Sequence, residues 1–337
     1  MGARTPRDPG AAVSSTEQVR TSALELRRVS GTLRAIEDNV RQVMRGKDQV
    51  VRLALVTLLA EGHLLVEDVP GVGKTLLAKS LARSIDCSVS RVQFTPDLLP
   101  SDVTGVTVYA PDTGAFAFRP GPVFANIVLG DEINRAGPKT QSALLEAMEE
   151  RTVTIDGTTH QLAAPFMVIA TQNPIELEGT YPLPEAQRDR FLMRIAIGYP
   201  HADDELEIVR THGGADRLAD LGPVADTAEV MAAVDTIRAV RVSEPIERYL
   251  IAVCRATRNH HSVELGASPR ASLALLRAVR VAAAIDGRDH VVPDDIKALA
   301  GHVLEHRLIL RPDAELAGTT ASEVIADILA GMPAPTE

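Results

Sequence analysis

The stretch His63–Leu77, HLLVEDVPGVGKTLL, decides how the rest of this 337-residue chain is read. A short apolar run, His63–Glu67, is followed by a tight glycine turn and a helix opening at Lys74. Glycines let the backbone approach a ligand closely and turn several N–H groups inward. The helix N-terminus adds the positive end of its dipole. From there the Lys74 ammonium reaches the β- and γ-phosphates of a nucleotide, and the Thr75 hydroxyl can ligate Mg²⁺. Pro70, Gly71, Val72, Gly73, Lys74, Thr75 and Leu76 are therefore the candidate phosphate-binding residues. The P-loop pattern G-x-x-x-x-G-K-[ST] is met except at its first position, where Asp68 stands. The dinucleotide fingerprint G-x-G-x-x-G fails, because Leu76 occupies the place of the third Gly. The alternative, a chance glycine turn between strand and helix, is decided by what the rest of the chain supplies.

Outward from this loop, apolar runs alternate with helical patterns. Upstream, Leu26, Val29, Leu33, Ile36 and Val40 recur at helical spacing, and the pattern stops at Gly46. A second helical stretch, Gln49–Ala60, leads into the loop. Gly46 is either a plain helix cap or part of a turn lying close to an adenine bound above the loop. Residues 1–24 have no periodicity and read as a disordered tail. Downstream, the helix Thr75–Ile85 is followed by a short strand, Val89–Thr95. Val106–Arg119 alternates about a Pro-Asp-Thr-Gly turn and reads as a hairpin placed where a plain α/β unit would continue with a helix. A second hairpin, RTVTI and TTHQL about Asp156-Gly157, follows later.

The run Asn126–Ala136, NIVLGDEINRA, supplies the chemistry. It reads as a buried strand whose C-terminal end, where ligands collect in an open α/β sheet, carries Asp131 and Glu132. Asp131 is suited to hold Mg²⁺ through its water shell, and Glu132 to polarise the attacking water. Gly130 inside the strand points to close packing. Pro138 starts a helix at its first position. Pro165–Pro174, PFMVIATQNP, is another buried strand, ending in Asn173. An amide there can orient the water and sense the γ-phosphate, although Asn before Pro is also ordinary turn chemistry. Leu183–Phe191, LPEAQRDRF, is a short helix presenting Arg188 and Arg190. An arginine near this helix end faces away from its own P-loop and so works on a neighbouring copy's phosphate, a role worth about 10³–10⁵ in rate. Arg190 is the candidate, with Arg188 in reserve.

Pro70-Gly71-Val72-Gly73-Lys74-Thr75, Asp131-Glu132-Ile133-Asn134-Arg135-Ala136, Ala170-Thr171-Gln172-Asn173-Pro174, Leu183-Pro184-Glu185-Ala186-Gln187 and Asp189-Arg190-Phe191 together resemble the MoxR family of AAA+ ATPases. The run DEINRA…LLEAMEE is more specific to that family than the P-loop. Arg188 departs from the apolar residue usual before the DRF. The resemblance implies an α/β fold: an AAA+ P-loop core over residues 25–200 with a parallel five-stranded sheet. The two hairpins would be its helix-2 insert and its pre-sensor-1 hairpin. A linker over 201–224, marked by Gly213-Gly214 and Gly222-Pro223, would lead to a small all-α lid over 225–337. The resemblance implies ATP and Mg²⁺ as ligands and, because an arginine is donated in trans, a homo-oligomer, expected as a hexameric ring. It also implies chaperone-like remodelling or maturation of partner proteins, often ones with von Willebrand factor A domains. In the lid, Ser268-Pro269-Arg270 opens a helix, with Ser268 as N-cap and Pro269 at N1. Arg270 resembles the sensor-2 arginine that reports the γ-phosphate to the lid.

Composition narrows the classes. A formal net charge of −10 argues against a protein built mainly to coat nucleic acid. The alternative of an AAA+ nucleic-acid motor is weighed down further by the hairpin tips: Pro111-Asp112-Thr113-Gly114 and Asp156-Gly157 carry acids and no Lys or Arg. Cys87 and Cys254 lie far apart without partner spacing, which suits a reducing compartment. No apolar run reaches transmembrane length and no signal pattern opens the chain, so a cytoplasmic protein is expected. His302-x-x-Glu305-His306 matches an inverted zinc-protease pattern but lacks a candidate third ligand, and His260-His261 reads as a polar loop. Glu132 argues against a nucleotide-binding scaffold without turnover. Replacing Glu132 with Gln is expected to keep ATP binding and abolish hydrolysis, as read by a nucleotide-binding titration beside a phosphate-release assay.

Overall fold

The computed structural model describes residues 15–112, 114–173, 180–211 and 217–335. Helix α1 (Ser15–Arg41) opens it, with Leu33, Ile36 and Val40 fully buried at helical spacing. Residues 15–24, read from sequence as part of an aperiodic tail, are therefore helical. The stretch 15–24 contains no Gly or Pro, and once the amphipathic part is anchored each further residue extends the helix without a new nucleation cost. Residues 1–14, the remainder of the expected tail, lie outside the described residues. So do Thr113 of the first hairpin turn, Pro174, and Gly213-Gly214 of the expected linker.

Helix α2 (Asp48–Leu59) delivers the chain to β1 (Leu64–Glu67), and α3 (Lys74–Ser84) and β2 (Val89–Gln93) follow. A short α4 (Pro100–Thr104) precedes the first hairpin, β3 (Gly105–Ala110) and β4 (Ala115–Pro120). Next come β5 (Ile127–Asp131), α5 (Pro138–Glu150) and the second hairpin, β6 (Thr152–Ile155) and β7 (Thr158–Gln161). The core ends with β8 (Met167–Gln172), α6 (Glu185–Arg188) and β9 (Met193–Ile195). Helix α7 (Ala202–Thr211) lies within the stretch expected to be linker. Its first turn holds Asp203, Asp204 and Glu205, charges that favour a helix N-terminus.

Five strands form one parallel sheet in the order β2-β5-β8-β1-β9. Helices cover both faces, so the central strands are apolar throughout. Alternation divides them: Leu64, Val66, Leu129 and Ile169 face one core, and Leu65, Val128, Val168 and Ala170 face the other. Gly130 is needed in β5 because a Cβ there would stand 3.0 Å from the Phe94 ring.

The first core is continuous with the lid, built from α8 (Thr227–Arg238), α9 (Glu244–Asn259), β10 (Val263–Leu265) and α10 (Pro269–Ile285). It is completed by α11 (Pro293–Leu304), β11 (Ile309–Leu310), α12 (Pro312–Leu316) and α13 (Ala321–Gly331). The antiparallel pair β10–β11 means that the lid is not purely helical; strands of three and two residues are too short to show alternation in sequence. Reciprocal capping boxes, Asp226 with Glu229 and Thr320 with Glu323, start α8 and α13. The lid also reaches across to α1 and α2. Ser30 and Arg34 donate to the Ile285 carbonyl at 2.9 and 3.2 Å, and Arg52 pairs with Asp286 at 2.6 Å.

His63 joins three elements at the start of β1. Its Nδ1 accepts from the Val168 N–H at 2.9 Å, which requires the Nε2–H tautomer, and Nε2 lies 3.0 Å from the Met148 carbonyl. Burial is the main force pulling its pKa down, to about 4 from 6.5, partly opposed by the bond to Met148. The unfolded chain therefore takes up this proton first. Stability should fall as pH drops from 6.5 to about 4, by roughly 3 kcal/mol in total, and be independent of this group above that window. In His63→Gln, the slope of the thermal midpoint with pH across that window should be flatter than in the parent protein, whatever the change in absolute midpoint.

Candidate active site

The loop leaving β1 takes backbone angles that explain its glycines. Gly71 and Gly73 have φ of +88° and +103°, a region L side chains rarely adopt, and Gly73 is also the residue capping α3. Asp68, the departure from the P-loop pattern, has a structural task. Its Oδ2 accepts from the N–H groups of Ile197 and Gly198 at 2.7 and 2.6 Å, and its Oδ1 from Val69 N–H at 2.8 Å. The carboxylate thereby ties the chain leaving β9 to the start of the loop, which glycine could not do. Lys74 Nζ donates to the Asp68 carbonyl at 2.6 Å. Burial lowers its pKa, with the carboxylates of Asp68, Asp131 and Glu132 opposing that shift.

Pro70, Gly71, Gly73, Lys74, Thr75 and Leu76 line one cavity of about 420 Å³ together with Asp131, Glu132 and Asn173. The size is that of an ordinary small-molecule site. Val72 instead packs against the core, and Gly46 lies off the cavity. Gly46 has φ of +66°, and a Cβ there would collide with the Asp204 carboxylate, 2.0 Å away. The turn holding Gly46 nonetheless approaches the loop, because the Met44 methyl stands 3.7 Å from where a Gly73 Cβ would be.

At the end of β5, Asp131 is buried and Glu132 takes a left-handed conformation, φ 59° and ψ 49°. Such strain in a non-glycine residue is characteristic of functional sites. Asp131 Oδ2 pairs with Arg91 Nε at 2.7 Å and Oδ1 accepts from Thr171 Oγ1 at 3.3 Å. Thr171 Oγ1 also accepts from the Glu132 N–H at 3.0 Å. Glu132 Oε2 accepts from Gln93 at 2.9 Å and from Arg135 at 3.2 Å. Arg91 and Gln93 escaped the sequence reading. Their signal was faint: two polar residues at i and i+2 on the strand that pairs with β5, opposite Leu129 and Asp131. The donor set fits a nucleotide with Mg²⁺. One hydroxyl (Thr75), one carboxylate (Asp131), phosphate oxygens and water are what Mg²⁺ takes at phosphate sites. Among the described residues, no group of three or more His, Cys, Asp or Glu gathers to hold a metal alone.

Arg190 and Arg270 lie elsewhere. Arg190 Nε pairs with Glu149 Oε2 at 2.9 Å, and Arg270 pairs with Glu149 Oε1 at 2.6 Å. The Leu192 N–H donates to the His63 carbonyl at 2.8 Å, and His63 contacts the Met148 carbonyl. This cluster therefore sits at the N-terminal end of β1, whereas the P-loop leaves from its C-terminal end. Four residues of strand separate them by about 13 Å along β1. Arg270 thus stands away from the P-loop cavity of its own chain: the first turn of α10 docks beside Glu149 near the end of α5. Arg188 stays with Glu185 at 3.9 Å and outside the cluster.

Arg307 was not anticipated. Buried in the lid, it donates to Asp189 Oδ1 at 2.7 Å and to the carbonyls of Asp189, Phe191, Leu192 and Val303. Ser268 Oγ, 3.2 Å from Asp189 Oδ2, adds a second hold from the lid. The His302-x-x-Glu305-His306 stretch is engaged in packing: His306 Nε2 meets the Phe191 carbonyl at 3.1 Å and Glu305 pairs with Arg194 at 3.1 Å.

The family model described as ATPase family associated with various cellular activities (AAA) matches residues 63–193, and that of the AAA lid domain matches residues 255–328. A Bacillus subtilis protein, YeaC, is 49% identical over 300 residues, covering 89% of this chain and 94% of its own. Chaperone MoxR1 of Mycobacterium tuberculosis is 44% identical over 295 residues, covering 85% of this chain and 78% of its own. Protein MoxR of Paracoccus denitrificans is 33% identical over 84% of this chain and 90% of its own. A crystal structure of a candidate ATPase from Cytophaga hutchinsonii superposes with a TM-score of 0.89 at 38% identity, over 95% of this chain and 99% of that one. The chain belongs to the MoxR family of AAA+ ATPases and hydrolyses ATP.

Proposed function

We propose that this ATPase works as a ring, a hexamer, that uses ATP and Mg²⁺ in the cytoplasm to remodel or mature partner proteins, von Willebrand factor A-domain proteins among them. The observation that carries the ring is the separation of the two clusters. Lys74, Thr75, Asp131, Glu132 and Asn173 share one cavity, while Arg190 and Arg270 are held at the opposite end of β1. Both arginines then act on the nucleotide of a second copy, Arg190 as the finger and Arg270 beside it.

Within one site, Lys74 and the backbone N–H groups of Gly71–Thr75 hold the β- and γ-phosphates. Thr75 and Asp131 would hold Mg²⁺, which supplies charge neutralisation on the phosphate oxygens. Glu132 accepts the proton of the attacking water, its carboxylate aimed by Gln93 and Arg135, and Asn173 orients that water. Supporting the client reading are the chaperone name of the mycobacterial relative and the exposed Tyr109 and Phe116 pair on the first hairpin, ring centroids 5.5 Å apart. Two free cysteines suit a reducing compartment, and among the described residues no helix is long and apolar enough to cross a membrane. Nucleic acid is disfavoured as cargo, since Asp112 and Asp156 occupy the hairpin turns.

The test is subunit mixing. Arg190→Ala and Glu132→Gln proteins should each be nearly inactive, with turnover reduced by about 10³-fold or more. Mixed, they should regain activity, because interfaces form that pair an intact P-loop with an intact arginine. No regain, in samples that mass measurement shows to be mixed assemblies, would remove the trans arrangement. ATP-trapped Glu132→Gln protein should also retain a purified von Willebrand factor A-domain partner in a pull-down; its failure to do so would reject that client class.

A further inference from the structure

We propose that Glu149 is a positioning residue for hydrolysis: its carboxylate bridges Arg190 and Arg270 and aims both at one phosphate of the adjoining copy. The inference rests on the trans arrangement proposed above. Three elements converge on this one side chain. Glu149 comes from α5, Arg190 from the chain between α6 and β9, and Arg270 from the first turn of lid helix α10. Each carboxylate oxygen takes one arginine, Oε2 with Arg190 Nε at 2.9 Å and Oε1 with Arg270 at 2.6 Å.

The surrounding charge makes this bridge necessary. The cavity at the N-terminal end of β1 is lined by five arginines, 151, 190, 270, 277 and 307, against three acids, Glu61, Glu149 and Asp189. Glu61 is engaged by Arg151 and Arg238, and Asp189 by Arg307. Glu149 is thus the acid that pairs with Arg190 and Arg270. Two guanidinium groups brought together repel one another, and a shared carboxylate lets them converge.

The geometry favours orientation over blockade. Arg190 is engaged through Nε, and among the described residues its terminal nitrogens have no other ion pair. A guanidinium presents its terminal N–H groups as a planar fork, the arrangement suited to bidentate contact with phosphate. Arg270 is held through one terminal nitrogen. A net positive lining of two charges, with His63 neutral, still attracts an anion. Because Glu149 is the carboxylate linking an arginine of the core to one of the lid, it also sets their spacing.

The experiment measures steady-state ATP hydrolysis by the assembled full chain. The proteins are the parent, Glu149→Gln, Arg190→Ala and the double variant, each with its thermal midpoint and sedimentation profile. Glu149→Gln keeps the shape and removes the charge. It should lower kcat by roughly 10²-fold, the cost of misplacing a catalytic group by about 1 Å. KM for ATP, the thermal midpoint and the assembly should be unchanged, because the P-loop is untouched. In the double variant the losses should combine to less than their product, since Glu149 acts in part through Arg190. Mixing Glu149→Gln with Glu132→Gln protein should restore turnover.

Parent-like kcat in Glu149→Gln would overturn the proposal. So would losses that multiply in the double variant, or a loss that follows a lower thermal midpoint or broken assembly. If Arg190→Ala itself kept the parent rate, the trans arrangement would have failed, and Glu149 with it. A normal loss in Arg190→Ala beside an unaffected Glu149→Gln would reject Glu149 alone.

Discussion

All five strands of the sheet point the same way, and that directionality governs the molecule. A parallel sheet has one edge of strand C-termini and one of strand N-termini. The P-loop, Asp131-Glu132 and Asn173 leave from the first edge. His63, Glu149 and Arg190 gather at the second. Hydrogen-bond register forbids sliding one strand relative to another without moving every buried side chain to the wrong face. The distance between the two clusters is therefore a rigid property of the fold.

Local strain and buried charge both occur where this geometry is used. Glu132 is held in a left-handed conformation, and its N–H is caught by Thr171 of the adjoining strand β8. Asp68 replaces a glycine and brings the chain leaving β9 against the loop through backbone N–H groups. Arg307 is a buried cation, and an unpaired one would be costly. Here the charge is met by Asp189 and a ring of carbonyls, so the residue preceding Arg190 is held by the lid. The lid is continuous with one core of the sheet through α1, whose buried residues belong to the same apolar cluster as those of α10.

Most of the fold, and the elements that carry the candidate site residues, were legible in the chain. The helical spacing of Leu33, Ile36 and Val40, the two hairpin turns and the buried runs ending in Asp131 and Asn173 all appear as elements where periodicity places them. Boundaries moved where no local signal existed. Residues 15–24 lack an apolar stripe but extend a helix anchored elsewhere, α7 occupies part of the expected linker, and β10 and β11 are too short to alternate.

The geometry of the glycine loop was determined by sequence alone, because its physics is local: a strand, glycines that permit positive φ, and a helix N-terminus within one short stretch. The carboxylates were legible for the same reason, since a strand end needs no distant partner to be recognised. Only the tertiary structure decided which side chains meet. Arg91 finds Asp131 across 40 positions through strand pairing, and Arg270 finds Glu149 across 121 through docking of the lid. Such partners depend on register and docking angle, which no local pattern encodes, and that is why Arg270 lies at the far end of the sheet from its own P-loop.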